Sequence, residues 1–315
     1  MSNKNPEPTI NQTDKPFKLL DPKSDIVFKK IFGQHPELIK SFLNSILPLA
    51  KGRIIESIDY LPHEQAPRIP SMKNTIVDVK CTDQDGHIFI VEMQMTWSTS
   101  FLKRFLFGTS KAYVQQLDRG NTYDTLCPVY GLAIVNETFD KTTKDWFHHY
   151  RLTNVQDLDK SLEGLELVFL ELPKFTPQTF IDRKMGALWL RFLKEIDGPL
   201  LSIPQEFQDN PDIAKAVELT QESSYTKAEL EAYDYYLDAV RVEQTIRVDS
   251  KRSGLEEGEQ IGIAKGKAEG REEGEQIGIR KTALNMLRGG MSIDSVSSFT
   301  GLSVDELENL LKSGL

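Results

Sequence analysis

The chain is poor in the residues that build covalent or metal-clamped scaffolds. Two cysteines occur in 315 residues, Cys81 and Cys127, both inside apolar, strand-like segments. A disulfide framework and a cysteine-based zinc site are therefore excluded as organising features. Five histidines are present, all within residues 1–150, and no two stand at a ligand spacing. No apolar run approaches the roughly 18 residues a spanning helix needs, so no membrane segment is expected. The polar start, MSNKNPEPTINQTDKPFK, has no apolar core of a secretory signal. These absences point to a reduced, cytoplasmic protein with a disordered stretch over residues 1–16. Basic charge is also scarce: 38 Lys+Arg face 47 Asp+Glu, a net charge of -9. A protein that simply coats nucleic acid is disfavoured on that balance, because such binding rests on phosphate neutralisation. The imbalance is uneven. Residues 1–150 hold 18 basic and 17 acidic residues, and residues 151–315 hold 20 and 30.

What is present reads as an α/β domain followed by helices. Ser24 stands as N-cap of a short helix over 25–32, and a second helix follows Pro36 to about Leu47. The isoleucine-rich segment 53–61 reads as a strand. Segments 75–82 (TIVDVKCT) and 87–96 (HIFIVEMQMT) flank the turn Asp83-Gln84-Asp85-Gly86 and form the clearest hairpin. Ser98 opens a long helix to about Arg119, and 128–136 (PVYGLAIVN) reads as a buried strand. Two further strands are expected at 146–152 and 165–172. Beyond Pro173 the pattern turns helical, near 186–196, 213–220 and 226–247, which sets a domain boundary between Pro173 and Pro211.

Strand alternation puts Asp78, Lys80, Glu92 and Gln94 on one face of the hairpin, beside Ile76, Ile88 and Ile90. A solvated hairpin face is the ordinary explanation of such a row. The isoleucines argue against it, because polar groups in a half-buried row must be paired or bind something. Two carboxylates on neighbouring strands repel unless a cation lies between them, and Mg²⁺ typically takes one or two carboxylates with waters and a phosphate.

Asp78, a hairpin turn and Glu92-Met93-Gln94 together resemble the PD-(D/E)XK nuclease core, with Gln in place of the usual Lys. The order helix–strand–strand–strand–helix–strand resembles that core too. The match is close to the recombination-promoting nuclease (Rpn) family, often called PD-(D/E)XK nuclease family transposases. It is carried by Asp25 in SDIVFK, Asp78 in IVDVKC, Glu92 and Gln94 in IVEMQM, Arg104 and Tyr113, and Gly120-Asn121-Thr122-Tyr123. The resemblance implies a restriction-endonuclease-like core, a mixed sheet flanked by helices over residues 17–180. It implies a Mg²⁺- or Mn²⁺-dependent DNA endonuclease of recombination or mobile elements. Asp78 and Glu92 hold the metal on that reading, and Asp25 is an accessory acid. Gln94 replaces the lysine that positions the attacking water, Lys80 is a candidate to supply the missing cation, and Arg104 contacts phosphate or a carboxylate.

The rest of the chain divides into a helical region (181–250), a repeat (251–281) and a small helix-turn-helix-like tail (282–315). In the repeat, glycine recurs every fourth position from Gly254 to Gly278, and EGEQIGI occurs at 257–263 and again at 273–279. It reads as a self-pairing stalk or a flexible spacer, so residues 225–315 are a candidate for homo-oligomerisation. The would-be recognition helix carries Asp305, Glu306 and Glu308, the wrong sign for a phosphate backbone. A protein contact is therefore expected of the tail. A nuclease fold that has lost activity and serves only as an interaction protein is the competing function, and a DNA-binding accessory factor docked through the tail is a third.

Overall fold

The computed structural model describes residues 17–62, 64–65, 75–117, 122–177 and 184–313. The expected disorder of residues 1–16 lies outside the described residues, and the helix expected to reach about Arg119 ends at Val114. Two compact units are present, Met1–Val240 and Arg241–Leu315.

In the first unit, α1 (Asp25–Gln34) and α2 (Pro36–Ile46) precede a short strand, β1 (Asp59–Tyr60). A two-residue pair follows, β2 (Glu64–Gln65) with β3 (Thr75–Ile76), then β4 (Val79–Thr82) and β5 (Ile88–Gln94). Helix α3 (Thr99–Val114) leads to β6 (Val129–Val135), β7 (Phe147–Thr153) and β8 (Ser161–Glu171). Helices α4 (Lys184–Glu195), α5 (Gln205–Asp209) and α6 (Pro211–Thr220) complete this unit with the first turns of α7 (Lys227–Arg288). The main sheet has the order β1-β4-β5-β6-β8-β7. The β4–β5 pair is antiparallel, β5–β6 and β6–β8 are parallel, and β7 closes the edge antiparallel to β8.

Both faces of this sheet are covered, which is why β6 is buried at every position. One face packs Val79, Cys81, Phe89, Val91, Leu132 and Ile134 against α1, α2, α4 and α6. There Phe32 lies 5.0 Å from Phe42 and 5.3 Å from Trp189, ring centre to ring centre. The other face packs Ile88, Ile90, Val129, Ala133 and Phe169 against Phe101, Phe105 and Ala112 of α3. The α3 contact depends on Gly131. A Cβ there would stand 2.7 Å from Thr109 Cγ2 and 2.9 Å from Phe105 and Leu167 carbons.

Three expectations need correction. The strand over 53–61 shrinks to Asp59–Tyr60. The reason is that side chains take its backbone bonds. Asn44 receives the Ile55 N–H and donates to the Ile55 carbonyl, at 2.9 and 2.8 Å, and the Gln84 amide does the same for Glu56 N–H and the Ile54 carbonyl. The boundary set between Pro173 and Pro211 does not divide the compact units, because Trp189, Leu190, Phe192, Ile213 and Val217 are buried in the same core as α1 and α2. The flexible-spacer reading of the repeat gives way as well: α7 runs as helix through all seven glycines. Intervening Glu, Gln, Lys, Ala and Ile favour helix, and Thr226 with Glu229 forms a capping box at its start.

In the second unit the end of α7 packs with α8 (Ile293–Thr300) and α9 (Val304–Ser313) around Ala283, Val296, Leu302 and Leu307. Gly301 (φ 74°) ends α8 in the left-handed region, and Ser303 with Glu306 makes a capping box for α9. Among the described residues no helix is long and apolar enough to cross a membrane.

Candidate active site

The β4–β5 ladder sets Val79 opposite Val91, so continuing it would set Val77 opposite Met93. The chain bends at Asp78 instead. Asp78 Oδ2 accepts the Met93 N–H at 2.8 Å, a side chain standing in for the ladder. The bend also turns the faces over. Val77 packs on the α3 side and Val79 on the α1/α2 side, although they are two residues apart. The expectation that unbroken alternation puts Asp78 and Lys80 on one face is corrected accordingly. Asp78 reaches α1, where Lys29 Nζ lies 3.9 Å from its Oδ1. Lys80 stands opposite Ile90, on the α3 face, where Lys111 is its charged neighbour. Burial first, and then Lys111, lower its pKa. Among the described residues it pairs with neither Asp78 nor Glu92.

Glu92 stays on the α3 side. Its side chain is 9% exposed, and Arg104 from α3 lies 3.9 Å from it. Arg104 Nη2 also donates to Gln94 Oε1 at 3.0 Å, while Gln94 Nε2 donates to the Thr96 carbonyl at 2.9 Å. The structure thus brings Asp25, Asp78, Glu92, Gln94 and Arg104 to the C-terminal end of β5 and leaves Lys80 outside.

The electrostatics are those of crowded carboxylates. Burial raises Asp78 to about 6, with the Asp25 charge adding to it and the Met93 N–H opposing it. Burial raises Glu92 to about 7, the Asp78 charge adds, and Arg104 and Lys29 oppose it. Both carboxylates are thus costly to ionise, chiefly through burial, with Asp25 adding to the cost at Asp78 and Asp78 to that at Glu92. Two such oxygens fit a hard divalent ion that fills its remaining positions with water and phosphate. Asp25, Asp78 and Glu92 are more widely spread than a closed three-ligand cage.

One set of three ligand-type side chains does converge within 4.8 Å among the described residues: Asp83, Asp85 and His87, in the β4–β5 turn. It is a tied turn rather than a metal centre. Asp83 accepts from the Asp85 and His87 N–H groups at 3.0 and 2.9 Å. Its other oxygen is held by Arg53 at 2.6 Å, a positive charge already in place.

Two residues that the sequence reading did not assign also border the site. Lys29, one turn after Asp25, bonds Asp25 Oδ1 at 2.7 Å. Tyr236 on α7 is half-buried, and burial, then the charges of Asp21, Asp25 and Asp78, push its phenol up. Lys29 was within reach, since an i,i+4 partner of Asp25 shares its helix face. Tyr236 carried no local signal, being more than 130 residues from the other site residues.

A mixed sheet with an antiparallel pair leading into parallel strands, helices on both faces and an acidic pair at the strand bend define a restriction-endonuclease-like fold. The chain belongs to the PD-(D/E)XK nuclease family transposases, a family that residues 22–246 match. Residues 278–312 match the C-terminal helix-turn-helix domain of the Rpn/YhgA-like nuclease family. No curated protein and no solved structure matches the chain.

Proposed function

We propose that the protein is a divalent-metal-dependent DNA endonuclease acting in recombination or mobile-element biology. The observation that carries this reading is the forced proximity of half-buried Asp78 and buried Glu92 at the end of paired strands, with Lys29 and Arg104 on either side. Asp78 and Glu92 would hold Mg²⁺ or Mn²⁺. Such an ion, when bound, lowers the pKa of water and neutralises charge on a scissile phosphate. Asp25 orients the attacking water. The water oxygen bonds phosphorus, the bond to the leaving sugar oxygen breaks, Asp25 takes a water proton, and solvent protonates the leaving oxygen. Arg104, with its side chain 56% exposed, reaches a neighbouring phosphate oxygen. Gln94 fixes Arg104 in that position. A reducing cytoplasm suits the two free cysteines.

DNA is the partner that the nuclease family and its helix-turn-helix domain support. The first turn of α9 is acidic, at Asp305 and Glu306. We therefore place the DNA contact on the nuclease unit and assign the tail a protein contact. Self-association through residues 225–315 belongs to the same reading. Val242, Ile246, Leu255, Ile261 and Ile277 are exposed on α7, whose glycines each cost roughly 1 kcal/mol relative to alanine.

Plasmid nicking in Mg²⁺ or Mn²⁺, with Asp78→Ala and Glu92→Ala alongside, tests the proposal. Metal-dependent nicking that both substitutions abolish is expected. Cleavage that persists in EDTA or survives either substitution would sink it.

A further inference from the structure

The site leaves one role without an owner. Gln94 stands where this kind of site resembles others that carry a lysine, and its amide is used at both ends, by Arg104 and by the Thr96 carbonyl. Lys80 stands opposite Ile90 on the α3 face, where Lys111 is its charged neighbour. A different ammonium is already among the carboxylates. Lys29 Nζ lies 2.7 Å from Asp25 Oδ1 and 3.9 Å from Asp78 Oδ1, and its charge is felt at Glu92.

An exposed i,i+4 ion pair is common on helices and contributes little. This one differs in two respects. Lys29 has a second partner outside its own helix, Asp78, and its side chain is only 37% exposed. The helix is also held in a fixed orientation. Val27, Phe28, Ile31 and Phe32 are fully buried in the core, which points Asp25 and Lys29 away from it toward the start of β4.

We propose that Lys29 is a catalytic residue that replaces the lysine absent from position 94. Its ammonium donates to the attacking water or to a non-bridging oxygen of the scissile phosphate, and it stays protonated throughout. The inference rests on the nuclease reading above, and its test separates the two.

Single-turnover cleavage at saturating DNA is compared for wild type, Asp78→Ala, Lys29→Met, Lys29→Arg and Lys29→Met combined with Gln94→Lys. Mn²⁺ binding is measured on the same proteins by calorimetry. Lys29→Met is expected to slow cleavage by about 100-fold, the scale of removing one aimed donor. Lys29→Arg should retain part of the rate. The double variant should regain at least about tenfold over Lys29→Met, because position 94 returns an ammonium to the same carboxylates. Mn²⁺ affinity should be unchanged or tighter in Lys29→Met, since a competing cation has gone. Weaker Mn²⁺ binding together with the lost rate would make Lys29 a structural residue and overturn the assignment. Wild-type cleavage rates in Lys29→Met beside a dead Asp78→Ala refute Lys29 alone, as does a double variant no better than the single. No cleavage by the wild-type protein in either metal refutes the nuclease reading and this one with it.

Discussion

Replacing Glu92 by glutamine should make the metal-free protein more stable near pH 8, although it removes a residue of the proposed site. The carboxyl of Glu92 moves from 4.5 to about 7 on folding, chiefly through burial and then through the Asp78 charge. At about 1.4 kcal/mol per pH unit, ionising it in the folded state costs about 3 kcal/mol more than in the unfolded chain. The sign follows from proton counting. Between pH 4.5 and 7 the folded protein holds the proton and the unfolded chain has lost it, so stability falls as pH rises through that window. Above it the full penalty is present, and below pH 4.5 it is absent. Glutamine has the same shape, keeps an oxygen for Arg104 and never ionises. In EDTA at pH 8 the Glu92→Gln protein should melt about 6–12 °C higher, taking 2–4 °C per kcal/mol for a unit of this size. The gain should vanish near pH 4. Thermal melts by circular dichroism from pH 4 to 9 measure it. A variant that is less stable at pH 8, or whose gain does not shrink on acidification, would refute the claim that Glu92 is held against its charge. Mg²⁺ should then stabilise the wild type and not the variant.

Metal binding should release protons below neutral pH, because Asp78 (about 6) and Glu92 (about 7) must ionise to hold the ion. Calorimetry in two buffers of different ionisation enthalpy at pH 6 reads this directly, and identical heats would contradict it. Gly131→Ala should destabilise the first unit by about 1–3 kcal/mol, since its methyl meets three side-chain carbons within 3 Å. Urea melts give the number, and a neutral outcome would mean that α3 can back away from β6. Gly258→Ala, Gly266→Ala and Gly274→Ala point into open space, so together they should raise helicity and stabilise α7 by up to about 3 kcal/mol. A loss of helix or of self-association in sedimentation would mean instead that the glycines make room for a partner.

The site was legible where local pattern decides geometry. Alternation and turn chemistry placed Glu92 and Gln94 near a strand end and Asp78 across from them, and helix capping placed Asp25 at the head of α1. What alternation missed is the bend. A strand that reads TIVDVKCT keeps its period only if every N–H finds a backbone partner, and here a carboxylate takes the Met93 N–H. Nothing within eight residues distinguishes an aspartate that lies along a strand from one that interrupts it. The difference is set by α1, which brings a cation to the bend. The same limit explains 53–61, where Asn44 and Gln84 take backbone bonds from outside the segment. It also explains the boundary, because α4 and α6 read as a separate helical region until Trp189 and Ile213 enter a core begun by Phe28.

Charge in the site fits the proposed reaction better than the whole-chain value of -9 allows. Three carboxylates, Asp25, Asp78 and Glu92, face two cations, Lys29 and Arg104. With all five ionised the site carries one net negative charge, which opposes a phosphodiester. A divalent ion changes that to one net positive charge, which attracts it. On the proposed reading DNA and metal therefore bind cooperatively, and each should tighten the other by the same factor. The cations alone cannot produce this, because each is already committed to a carboxylate or to Gln94. The same reading lets an acidic protein bind DNA without a basic coat, because the positive charge would be local and present only when the site is loaded.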